Sequence, residues 1–208
     1  VGFMVLSSGG TLLIAIAMFN TQAWSAGLYY LVHSTLIAAA FYLFCGWITA
    51  QRGMFKDHLK VAPKIKNEKA AALTYFLIAM MMAGLPPFSG FLGKVFILQA
   101  TAETAYQGWI IAIILIVSLL SILALTRVGF ILFWRASPPE IDPNEAAYQT
   151  YQGLPAYAPN RNDTAIYIIL AGLMAYVVFA SPIQTYTVLT AQQIQNHALY
   201  NQAILKTD

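Results

Sequence analysis

The run from Ala70 to Ala105 is 36 residues long and apolar almost throughout. That is too long for one straight membrane crossing. At 1.5 Å per residue such a helix would reach about 54 Å, whereas about 20 residues cover a hydrocarbon core of about 30 Å. Tilting does not absorb the excess. The run must be interrupted, and Gly84, Pro86, Pro87, Ser89 and Gly90 fall together within seven residues. The prolines remove two backbone donors and the glycines add two points of free rotation. In lipid, backbone groups released this way are tolerated only where they meet protein or a water-filled cavity. The expectation is a broken helix whose break faces something polar.

The rest of the chain agrees with a bilayer as solvent. Of its 208 residues, 59% are hydrophobic and 9% charged, against roughly 25% charged in ordinary soluble domains. Four further apolar runs, Gly2 to Phe19, Ala26 to Ala50, Gly108 to Trp134 and Thr164 to Ala180, each approach or exceed the length of a span. The expected fold is all-α integral membrane, with five transmembrane helices, the third broken at Pro86–Gly90. The chain opens on Val1 directly before an apolar helix, which is the expectation for a piece of a longer polypeptide.

Basic residues set an expected direction. Residues 51–69 hold Arg52, Lys56, Lys60, Lys64, Lys66 and Lys69, whereas residues 20–25 and 99–107, read as loops, hold none. The positive-inside rule makes the basic stretch cytoplasmic. Alternation then adds Arg127, Arg135 and Arg161 to that side and leaves Lys206 opposite, so the N-terminus is expected inside and the C-terminus outside. Residues 1–134 form a first unit of four helices. Residues 135–163, with five prolines, form a cytoplasmic loop that is either irregular structure lying on the membrane face or a plain linker. Residues 164–208 form the last helix and an external tail, in which Val188, Leu189, Ile194, Leu199 and Ile204 are spaced as one side of a short interfacial helix.

Several chemistries are excluded. The net charge of +3 lacks the basic patch a nucleic acid would need. Cys45 is the single cysteine, so neither an internal disulfide nor a cysteine metal site can form. No phosphate loop, dinucleotide fingerprint, H-E-x-x-H pair or carboxylate cluster falls within a span, so no cofactor and no metal are expected. No aspartate shares the depth of His33, which leaves nucleophilic hydrolysis unsupported. Glu103 reads as a solvated loop acid.

Two ionisable side chains remain central. Lys94 lies four residues past Gly90, on the order of 6 Å along the second half-helix. A charge at that depth is expensive and usually faces a bundle interior or a water path. Unlike arginine, a buried lysine can give up its proton. The alternative is a snorkelling lysine with its head in interfacial water. His33, in Leu31-Val32-His33-Ser34-Thr35, can pass a proton between its ring nitrogens. Its alternative is a neutral core histidine satisfied by a carbonyl or hydroxyl.

The run Gly84-Leu85-Pro86-Pro87-Phe88-Ser89-Gly90-Phe91-Leu92-Gly93-Lys94 resembles the broken twelfth helix of the antiporter-like proton-translocating subunits shared by respiratory complex I and the Mrp cation/proton antiporters. Leu28 to Thr35 resembles the preceding helix with its histidine. Leu119 to Arg127, Leu132 to Arg135, Thr190 to Ile194 and Tyr200 to Leu205 resemble the D-type branch of the Mrp antiporters, also called Pha or Mnh. The resemblance implies the tenth to fourteenth of fourteen helices, within the second antiporter-like half, in a bacterial plasma membrane. It implies other subunits as partners and exchange of Na+ or another monovalent cation for protons. Lys94 would carry the proton and His33 relay it, with Ser34, Thr35, Pro86, Pro87, Ser89 and Gly90 lining the path. Ala38 stands where the family often has a lysine, which shifts weight to water and to the hydroxyls of Ser34 and Thr35. A proton-pumping subunit of NADH:quinone oxidoreductase or of a membrane hydrogenase, and a membrane scaffold without an ion path, are the competing readings.

Overall fold

The computed structural model describes residues 1–52, 58–59, 65, 67–102, 104–134 and 161–196. They form seven helices: α1 Gly2–Ala17, α2 Thr21–Gln51, α3 Glu68–Ala83, α4 Ser89–Ala100, α5 Gln107–Gly129, α6 Arg161–Val178 and α7 Ala180–Gln195. A π-helical turn, Phe130–Trp134, continues α5. Residues 135–160, most of the expected Pro-rich loop, lie outside the described residues, as do Lys56, Lys60, Lys64, Lys66, Glu103 and the tail from 197 on.

α2 is the central element and touches α1, α3, α4, α6 and α7. Ala26, Tyr30, His33, Ile37, Ala40, Phe44 and Trp47 recur at alternating steps of four and three and are all buried, the stripe expected of a packed helix. Ala23, Phe41 and Ile48 on one flank and Tyr29 on the stripe itself are buried as well. The helix also starts earlier than expected. Residues 21–25, read as part of a loop, are its first turns, because Asn20 caps it: Oδ1 accepts a hydrogen bond from the Ala23 amide at 2.7 Å. A side-chain oxygen in that position satisfies one of the four orphan donors of a helix start. The amide of the same Asn20 donates to the Ala100 carbonyl at the end of α4, at 3.4 Å.

Tyr75 of α3 ties the other side together. Its hydroxyl donates to the Leu125 carbonyl at 2.6 Å, and its ring sits 5.6 Å from Phe133 and 5.7 Å from Phe44, centroid to centroid. α5, by contrast, buries few of its side chains and leaves Trp109, Ile113, Ile116, Leu119, Leu120 and Leu123 exposed. An apolar helix bare along much of its length suits lipid rather than water.

Among the described residues, α2 and α5 with its π turn are each long and apolar enough to cross a membrane, and α6 with α7 make a third if that bent pair counts as one span. α1 and α3 have 16 residues each and α4 has 12, about 24, 24 and 18 Å. The molecule is a helical membrane protein, but length and composition alone do not return the five spans expected from the sequence. α6 ends at Val178 and α7 leaves it at 81°, starting at Ala180, eight residues before Val188, the first apolar residue of the expected tail helix. Pro182 sits in the first turn of α7, where its missing N–H forfeits no helical bond.

Candidate functional site at the break between α3 and α4

α3 stops where the sequence demanded. Gly84 takes a left-handed conformation with φ of 76°, which costs glycine nothing. The Leu85 amide then bonds to the Met80 carbonyl at 3.0 Å and the Gly84 amide to Met81 at 3.1 Å, a glycine closure of the helix end. The next two carbonyls fare differently. A helix would pair Met82 with the amide of residue 86 and Ala83 with that of residue 87, and both are prolines without an N–H. The break thus releases carbonyl oxygens at the end of α3 that carries its partial negative charge.

Lys94, in the second turn of α4, reaches back to them. Its Nζ donates to the Ala83 carbonyl at 2.8 Å and to Ser118 Oγ of α5 at 3.0 Å. Ser118 donates in turn to the Ile114 carbonyl at 2.7 Å, which leaves its oxygen free to accept. The lysine stem lies on Gly84: a Cβ there would stand 3.0 Å from Nζ and 3.2 Å from Cδ and Cε. The Gly84 position therefore serves both the turn and the seat of the lysine.

His33 approaches the same helix end from α2. It is 2% exposed; its Nδ1 lies 2.8 Å from Ser89 Oγ, and its ring also hydrogen-bonds the Met81 backbone. Nε2 and the Met81 oxygen crowd Gly90 together, each 2.6 Å from where a Cβ would stand. The Met81 carbonyl can only accept whereas the Ser89 hydroxyl can give or take a proton, so the roles of the two ring nitrogens follow the tautomer of the imidazole. Both ionisable groups singled out in the sequence thus converge on carbonyls of the same helix terminus.

The other expected path residues divide. Ser89 touches His33, Gly90 is its point of closest approach, and Pro86 and Pro87 create the free carbonyls. Ser34 and Thr35 do not join the two centres; their hydroxyls bond to the Leu31 carbonyl of their own helix at 3.1 and 2.8 Å. Ser118 was not anticipated. It is one of two hydroxyls in the apolar run 110–125, and the other, Ser121, bonds back to Val117 at 2.8 Å. Sequence offers the pair; only the packing of α5 on the break chooses between them.

The family described as "NADH:quinone oxidoreductase/Mrp antiporter, TM" matches residues 3–123, which include His33, the break, Lys94 and Ser118. The chain belongs to this family. It is similar to the D subunit of an Na(+)/H(+) antiporter of Bacillus subtilis, with 28% identity over 206 residues, 98% of this chain and 39% of the relative. The protein of the same name in Alkalihalophilus pseudofirmus is 27% identical over 204 residues, again 98% and 39%. The D subunit of a probable K(+)/H(+) antiporter of Rhizobium meliloti is 30% identical over 161 residues, 64% of this chain and 30% of the relative. The chain spans about two fifths of the length of the relatives it matches end to end. Within this NADH:quinone oxidoreductase/Mrp antiporter family, it carries a half-helix break served by one lysine and one histidine.

Proposed function

We propose that this chain is the C-terminal part of a D-type subunit, the proton-translocating component of a multisubunit monovalent cation/proton antiporter in a bacterial plasma membrane. Lys94 carries the proton, His33 relays it, and the Pro86–Gly90 break admits the water between them. The convergence of both side chains on the carbonyl end of α3, Lys94 on Ala83 and His33 beside Met81, carries this reading. Those oxygens stabilise an added positive charge without a carboxylate to hold it permanently, which suits a proton that must come and go. Ser89, bonded to His33, takes the place in the path expected of Ser34 and Thr35.

The architecture proposed around it has five spans, with α3 and α4 acting as one broken span and α7 lying along the surface after α6. The N-terminal end is cytoplasmic and residues 135–163 join the fourth span to the fifth on that side, while the tail is external. Other subunits supply the remainder of the ion path. The family description also covers NADH:quinone oxidoreductase, but the antiporter relatives favour the exchanger.

The test is Lys94→Ala and Lys94→Arg in the full-length protein within its complex, with cation-driven proton movement followed in everted vesicles. Both variants are expected to lose exchange, the second because guanidinium keeps its proton. Undiminished exchange in Lys94→Ala would refute proton carriage by Lys94 and leave a scaffold.

A further inference from the structure

Away from the break, α2, α4 and α7 enclose a cleft of about 480 Å³ near the start of α2 and the end of α4. Thr21, Gln22, Ser25, Gln99, Gln184 and Gln192 give it a polar lining, and no charged side chain lines it among the described residues. Its volume has room for on the order of ten waters. Amides and hydroxyls supply donors and acceptors in plenty while holding no ion by charge, so the lining suits water that passes a proton along.

α7 is built to form one wall. Thr187, Ala191 and Gln195, at steps of four, face α2: Thr187 and Ser25 share a hydrogen bond of 2.9 Å, and Thr21 donates to Gln195 Oε1 at 2.6 Å. The neighbouring row, Gln184, Val188 and Gln192, faces the cleft. This helix thus presents one row that docks on α2 and one that lines the cleft.

α2 leads inward from the cleft. Gln22, Ala26, Tyr29 and His33 recur at steps of four, three and four on one side of the helix, so His33 stands about 16 Å along the axis from Gln22. Midway is Tyr29, fully buried, its ring 4.7 Å from that of Tyr176 and 5.2 Å from that of Phe96. Its hydroxyl finds no partner among the described residues. A buried hydroxyl is unfavourable unless it is paired or reached by water.

We infer that this cleft is the outer mouth of the proton path to His33 and Lys94, and that Tyr29 is a positioning residue for the water between them. The inference rests on the proposed proton carriage and adds the place where protons leave the protein and the class of groups that pass them. The cleft opens externally if the basic residues set the direction of the chain in the membrane.

The experiment uses the full-length protein in its complex, in a Cys45→Ser background, with Gln99→Cys and Gln192→Cys made separately on two different walls. Membrane-impermeant thiosulfonates, one bearing trimethylammonium and one sulfonate, are applied to intact cells, and each variant is compared with itself before reagent. Both cysteines are expected to react from outside. The cationic adduct should slow exchange at least fivefold and the sulfonate adduct much less, since only the former repels a departing proton. Tyr29→Phe should slow exchange severalfold without changing thiol reactivity. Failure to react from outside, reaction without change in exchange, or equal inhibition by both adducts overturns the mouth; wild-type exchange in Tyr29→Phe overturns the role of Tyr29. Lys94→Ala run alongside separates the two claims: if it abolishes exchange while the adducts do nothing, only the mouth falls, and if it leaves exchange intact, proton carriage itself falls.

Discussion

Gly90→Ala adds one methyl group at the tightest point of the site. Its Cβ would stand 2.6 Å from His33 Nε2 and 2.6 Å from the Met81 carbonyl oxygen, roughly 0.8 Å inside ordinary van der Waals contact. The carbonyl belongs to the last turn of α3 and cannot swing aside, so the imidazole or the whole start of α4 must move. A shift of that size would stretch the 2.8 Å contact between His33 Nδ1 and Ser89 Oγ to about 3.6 Å, beyond hydrogen-bonding range. Overpacking of this kind costs about 1–3 kcal/mol, offset in part by the up to about 1 kcal/mol by which alanine exceeds glycine in a helix. Losing the His33–Ser89 bond, at about 1 kcal/mol, corresponds to several-fold to roughly tenfold in rate. Exchange in everted vesicles should therefore fall about fivefold, with a modest drop in melting temperature of the purified complex. Gly108→Ala is the comparator, since a Cβ there meets nothing within 4 Å, and it should behave as wild type in both measurements. Wild-type exchange and melting in Gly90→Ala would refute the claim that close approach at this glycine aligns the histidine.

Further outcomes follow from the same geometry. Ser118→Ala removes one of the two acceptors of the Lys94 ammonium and should slow exchange severalfold, while Ser118→Thr, which keeps a hydroxyl, should restore most of it; equal rates in both variants would count against the contact. Gly84→Ala places a methyl group against the lysine stem and forces alanine into a left-handed conformation, so it should both destabilise the complex by about 1–2 kcal/mol and reduce exchange in the vesicle assay. Tyr75→Phe deletes the bond to the Leu125 carbonyl far from the break and should lower thermal stability by about 1 kcal/mol with exchange per folded complex unchanged.

Much of the break was legible because it is a conflict of length. An apolar run that exceeds the bilayer must be interrupted, and clustered glycines and prolines leave one place for it. His33 and Lys94 stood out for a related reason: charge within apolar sequence is rare enough to be noticed without a fold. Their partners were not legible. Ser118 looks no different from Ser121 until α5 is packed against the break, and Ser34 and Thr35, adjacent to His33 in sequence, spend their hydroxyls on their own helix. The early start of α2 could have been read from Asn20, whose capping preference is local; the 81° turn at Phe179 could not, since Pro182 is compatible with a helix start and equally with a loop.

The prolines that end α3 also furnish the oxygen on which the Lys94 ammonium rests, so geometry and chemistry have one origin here. Moving the lysine to position 93 or 95 would turn its ammonium by about 100° around α4, away from both Ala83 and Ser118. Neither mutation of the break nor relocation of the charge can then be made alone. An engineer who wished to transplant this site would have to carry the interruption, the glycine seat and the serine on α5 as a single indivisible part.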